Sequence, residues 1–140
     1  MKNSFIFEKQ IGYENSIVRK SLSFAIRIVK LYKILLKRTK EFDPLLKQLL
    51  RSGTSIGANI SEAQSVISKK DFVNKMQIAL KESRGTEYWI KLLNETEIMN
   101  EMEYLSLHSD CEELSKLLTS TIKSSKIILK ILNSLFLILH

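Results

Sequence analysis

One proline and four glycines are spread over 140 residues. An all-β fold spends those two residue types on its many tight turns, so their scarcity argues against one. A single cysteine, Cys111, excludes an intramolecular disulfide and fits a reducing compartment. Two histidines, His108 and His140, leave little from which to build a zinc site. The stretch around Phe5, Ile6 and Phe7 lacks the long apolar core and cleavage site of a signal peptide, so a cytoplasmic location is expected. No segment supplies the roughly 20 predominantly apolar residues of a spanning helix. Residues 127–139 come nearest, but Lys130, Asn133 and Ser134 interrupt them, so no stable transmembrane insertion is expected. Acid is missing altogether from residues 15–40, where eight basic residues occur.

What is present is 44% hydrophobic residues, enough for one core in a chain of one-domain size. The apolar residues recur with helical period, which predicts an all-α, antiparallel up-down-up-down four-helix bundle. Three regions are expected: an irregular arm over 1–14, the bundle over 15–132 and an apolar tail over 133–140. The tail reads as the end of the last helix plus a sticky segment that packs on the bundle or on a neighbouring subunit. Shallow membrane contact is the alternative.

The first helix is expected from about Asn15 to Arg38, with Ile17, Phe24, Ile28, Leu31 and Leu35 on its core face. Asp43 as N-cap and Pro44 in the first turn start a second helix that runs to about Val66. Ser68 with Asp71 opens the third, and Asn100 with Glu103 opens the fourth in the manner of a capping box. Acids lie toward the start of the fourth helix and lysines toward its end, which complements the helix dipole.

Within the second helix, Gly53 and Gly57 stand four apart on the same face as Leu46, Leu49, Ile56 and Ile60. A helix-interior glycine costs roughly 1 kcal/mol relative to alanine. Two on the buried stripe predict a close helix crossing; the alternative is a kink at Gly53. The third helix has two apolar stripes. One, through Phe72, Met76, Ala79, Ser83, Ile90 and Leu93, suits the core. The other, through Ile78, Gly85, Trp89 and Leu92 with Tyr88 on its flank, suits either a subunit interface or a central position in its own bundle.

Four motifs carry a family resemblance: RSGTSIGANISEAQ at 51–64, DF with IALKE within 71–82, TEYWIKLL at 86–93 and DCEELSKLL at 110–118. In this order they resemble the four-helix-bundle proteins encoded in intervening sequences of 23S ribosomal RNA genes, over roughly residues 15–130. The resemblance implies an all-α bundle, a ring-shaped homopentamer and no known enzymatic activity. It also favours the interface reading of Ile78, Gly85, Tyr88, Trp89 and Leu92. Glycine at position 85 departs from the family's usual Glu before TEYW, which is expected to loosen the helix and open space beside Trp89. A more distant likeness is to the accessory variability determinant proteins of diversity-generating retroelements, which are basic pentamers that bind nucleic acid and a reverse transcriptase.

No catalytic constellation, cofactor motif or metal site is legible. His108 and Cys111 supply two metal donors where a structural zinc site wants four. Gly53-x-x-x-Gly57 lacks the Lys-Ser/Thr of a phosphate loop. The Glu-x-x-His pairs of a di-iron bundle are missing. Asn59 and Glu62, on the polar edge of the glycine helix, read first as architectural, since short polar groups beside a close crossing often hydrogen-bond across it, with a binding role as the alternative.

The net charge of +7 favours anionic partners. Arg19, Lys20, Arg27, Lys30, Lys33, Lys37 and Arg38 are the candidate nucleic-acid contacts, all expected opposite the core stripe of the first helix. Arg19, Arg27, Lys30 and Lys37 cluster most closely on the wheel. The bland alternative is a solvated face. The expectation is a non-enzymatic homo-oligomer, pentameric by the resemblance, that binds RNA or DNA through this helix. The competing expectation is an oligomeric scaffold for a protein partner with no nucleic-acid contact.

Overall fold

The computed structural model describes the backbone of residues 2–140 and the side chains of residues 16–140. Four long helices carry the fold, and no strand occurs among the described residues. They are α1 (Lys2–Arg38), α2 (Asp43–Ala63), α3 (Lys69–Glu95) and α4 (Glu101–Leu139), with a single 3₁₀ turn, Lys40–Phe42, between α1 and α2. Sequence neighbours pack antiparallel, and α4 returns alongside α1, which closes the bundle.

Helix α1 reaches back to Lys2, although residues 1–14 read as an arm in the sequence. No proline lies in that stretch, so nothing there forbids the helical backbone. The expectations that rest on side chains of residues 1–15 lie outside the described residues.

Helix α2 begins differently from its expected cap. Phe42 occupies the N-cap without a side-chain bond, and Asp43 is already helical, with Pro44 in the first turn. The Asp43 carboxylate is drawn elsewhere: it accepts a 2.7 Å hydrogen bond from the Tyr32 hydroxyl and pairs with Lys47 at 3.2 Å. That links the start of α2 back to α1. The helix stops at Ala63, short of the expected Val66. Ser68 does cap α3 through the Asp71 amide, and Asn100 with Glu103 forms a complete capping box on α4. The α3–α4 connection is held by buried Ile98 and Met99, while Glu97 takes a left-handed φ of 63°.

The core is built from the predicted stripes. Ile17, Phe24, Ile28 and Leu35 of α1 meet Leu46, Leu49, Ile56 and Ile60 of α2. Met76, Ala79, Ile90 and Leu93 of α3 and Leu107, Leu114 and Leu118 of α4 complete it. The crossing of α1 and α2 is very close at two points. A Cβ on Gly57 would lie 3.1 Å from the Ser21 carbonyl oxygen, and one on Gly53 would lie 2.8 Å from Ile28 Cγ1. Helix α2 is unbroken through both glycines.

The far end of α4 leaves the bundle. Its last buried residue is Ser125, and residues 130–140 are all exposed. The segment read as the end of the last helix plus a sticky tail, on the bundle or on a neighbouring subunit, continues α4 as helix to Leu139 with its side chains exposed.

Candidate nucleic-acid interface

The acid-free stretch of α1 divides into two flanks, although all its basic residues were expected opposite the core. One flank turns toward α4. There Lys20 pairs with Glu113, Arg27 with Asp110 at 2.5 Å and Arg38 with Glu103 at 2.8 Å. Arg27 also donates to the Ser106 hydroxyl at 2.6 Å and to its carbonyl at 3.3 Å. Antiparallel packing makes this ladder. The basic residues of α1 run one way while the acids of the α4 N-terminal half run the other. A groove of about 420 Å³ between the two helices is lined by Arg19, Lys20 and Arg27 on one wall and Asp110 and Glu113 on the other. Its charges largely answer each other, so it is a poor place for a phosphate.

The second flank faces away from the bundle. Lys30, Lys33 and Lys37 are exposed, lie within about 10 Å of helix length and share one side. None of the three makes an ion pair among the described residues. Arg19 is exposed at the edge of this flank and also lines the groove toward α4. Of the seven candidate contacts, Lys20, Arg27 and Arg38 are thus already committed within the chain. Arg27, one of the four first-choice contacts, is bonded to Asp110 and Ser106.

The sequence reading missed what lies between these lysines. Leu22, Ile26 and Val29 form an exposed apolar stripe on the outward side of α1, with Leu22 60% exposed. The signal was present in the four- and three-residue spacing, but the stronger stripe through Ile17, Phe24, Ile28 and Leu35 masked it.

The outward stripe of α3 is only partly open. Ile78 and Tyr88 are exposed, at 44% and 60%, and no atom lies within 4 Å of where a Gly85 side chain would start. Trp89 is half-buried against its own core, with the Tyr88 ring edge-on at 5.0 Å. Leu92 is half-buried as well.

The polar groups near the glycine helix have local tasks. Asn59 donates to the Ser55 carbonyl one turn back in its own helix, at 2.8 Å, rather than across a crossing. Glu62 bridges to Lys75 of α3 at 2.7 Å. Cys111 is fully buried and directs its thiol to the Ser83 carbonyl at 3.4 Å. Burial, followed by the charges of Glu87 and Asp110, pushes that thiol up to about 12, which keeps it protonated and a poor nucleophile. Ser83 and Ser115 share a hydrogen bond, and Ser115 donates to Glu87 at 3.0 Å. These bonds fix the register of α3 on α4. His108 lies 4.0 Å from Glu112 and is half-buried, whereas Cys111, three positions on, is fully buried. Among the described residues no three His, Cys, Asp or Glu side chains gather as metal ligands.

The family model described as "23S rRNA-intervening sequence protein" matches residues 13–120. A solved structure from Bacteroides thetaiotaomicron VPI-5482, a protein of unknown function from the S23 ribosomal protein family, is 53% identical. It superposes with a TM-score of 0.76 over 79% of this chain and 98% of that one. No curated protein matches significantly.

Proposed function

Since the chain belongs to the family of 23S rRNA-intervening sequence proteins, we propose that it is a non-enzymatic, self-associating bundle that binds nucleic-acid phosphates through the outward flank of α1. One observation carries the reading. Lys30, Lys33 and Lys37 share an acid-free face and stay unpaired among the described residues, whereas their neighbours Lys20, Arg27 and Arg38 are matched to acids of α4. A solvated helix face has no need to keep one flank clear of acids while the other is neutralised.

Contacts of this kind read phosphate, not base sequence. Three per subunit are weak alone, and repetition over the subunits of an assembly adds them by avidity. Binding is therefore expected to fall steeply with salt, with a log–log slope of about −2.7 for each bound subunit on duplex if all three lysines engage. A fluorescence-anisotropy titration of labelled RNA and DNA over a salt series tests this. A flat salt response removes the phosphate reading.

A second reading, a scaffold for a protein partner, is favoured by Leu22, Ile26 and Val29, which interleave with the same lysines. Apolar residues in that position suit a partner helix better than a phosphate backbone. Binding lost on changing Leu22 and Ile26 to Ser, but kept on changing the lysines, would select it.

A further inference from the structure

The last turns of α4 are a helix without a bundle. From Ile127 to Leu139 the helix runs roughly 20 Å, beyond Ser125, the last buried residue of α4. The family match ends at residue 120, before this segment begins. Leu129 still packs against the core, but residues 130–139 are exposed throughout, so packing of the fold does not account for their side chains.

Their arrangement is amphipathic. At about 100° per residue, Ile127, Ile131, Leu132, Leu135, Phe136 and Leu139 fall within an apolar arc of roughly 200°. Lys126, Lys130 and Asn133 lie on the remaining side, with Leu137 the one apolar residue among them. From Leu135 to Leu139 the side chains are 49–79% exposed. No acid follows Glu113 in the chain, while Lys116, Lys123, Lys126 and Lys130 do.

We propose that this segment of α4 is an interfacial helix that lies in the surface of an anionic lipid membrane. The wide apolar arc enters the boundary between headgroups and acyl chains, and Lys126 and Lys130 stay at headgroup level. Charge selects this occupant over the same segment of a second copy. An acid-free basic face complements anionic headgroups and offers a second copy of itself no opposite charge. Width points the same way, because a single partner helix covers a stripe of roughly 100° and would leave the rest of the arc wet. Length argues against spanning, since no helix among the described residues is long and apolar enough to cross a membrane. The segment lies on the membrane and holds the bundle beside it.

Flotation of the full chain with vesicles tests the proposal, with circular dichroism confirming that each variant remains helical. The vesicles are phosphatidylcholine alone, or phosphatidylcholine with phosphatidylserine at roughly 7:3. The wild-type chain floats with the mixed vesicles and binds the neutral ones about tenfold more weakly or less. Ile131→Glu with Leu135→Glu removes binding to both. Lys126→Glu with Lys130→Glu removes the preference for phosphatidylserine. Lys30→Glu, Lys33→Glu and Lys37→Glu together leave flotation in place, which separates this helix from the α1 face. The proposal is overturned if the wild-type chain stays at the bottom of the gradient, or if the double Glu variant floats as well as wild type. It is also overturned if that variant loses only self-association, measured by light scattering without lipid, since the segment would then serve a second copy.

Discussion

A methyl group on Gly57 would sit 3.1 Å from the Ser21 carbonyl oxygen, tighter than side chains normally tolerate against backbone that cannot rotate away. At Gly53 the neighbour is the Ile28 side chain, which has more freedom to turn. The two glycines therefore differ in what they protect. Gly57→Leu forces α1 and α2 apart and is expected to cost about 1–3 kcal/mol, as overpacked cores do. Thermal unfolding followed by circular dichroism measures it, and an unchanged melting temperature would mean the crossing is not tight. The spacing of the glycines could be read in the sequence. Their contacts could not, because Ser21 and Ile28 lie some 25–36 residues away and no local pattern names them.

At the scale of the element, the helix starts show which signals are local. Ser68 and Asn100 were legible because a cap is a bond between a residue and the amide three positions on. Asp43 misled because a long-range partner, the Tyr32 hydroxyl, competes for its carboxylate. The α1–α4 ladder was hidden for the same reason: the basic face was visible, but which of its members meet acids depends on how α4 returns. Glu103 joins both kinds of contact. Partial burial pushes its carboxyl up, but the hydrogen bond from Arg38, the Asn100 amide and the Arg38 charge together hold it below the usual carboxylate range. A carboxyl depressed in the folded state stabilises it fully above the unfolded value of about 4.3. That stabilisation drains away as pH falls through the lower, folded value. Glu103→Gln keeps the capping-box acceptor but loses the charge. Its unfolding free energy, from urea titrations at several pH values, is expected to fall less steeply than wild type as pH drops below about 5. Equal slopes would show that the Arg38 pair contributes nothing.

At the scale of the molecule, the fold class was legible because four amphipathic stripes, few breakers and short connections all agree on one bundle. The surfaces were less so, since a single sequence does not say which outward stripe a partner covers. We expect a homo-oligomer, with Ile78 and Tyr88 at the contact because they are the open members of the outward α3 stripe. Ile78→Ser with Tyr88→Ser should lower the mass found by multi-angle light scattering while leaving helicity unchanged. A wild-type chain that stays monomeric at micromolar concentration would refute self-association. Trp89→Ala is a poorer probe, since Trp89 also packs on its own core. The central claim is that the two flanks of α1 do different work, the inner one holding α4 and the outer one holding phosphate. Anisotropy titration of one labelled RNA duplex at low salt, with wild type and two triple variants, tests it most directly. Lys20→Gln, Arg27→Gln and Arg38→Gln together are predicted to lower the melting temperature, since each surface ion pair contributes up to about 1 kcal/mol, and to leave RNA affinity within about threefold. Lys30→Glu, Lys33→Glu and Lys37→Glu together are predicted to abolish binding and leave the melting temperature unchanged. An outer-flank variant that binds as well as wild type, or a wild-type chain that does not bind, would contradict the account.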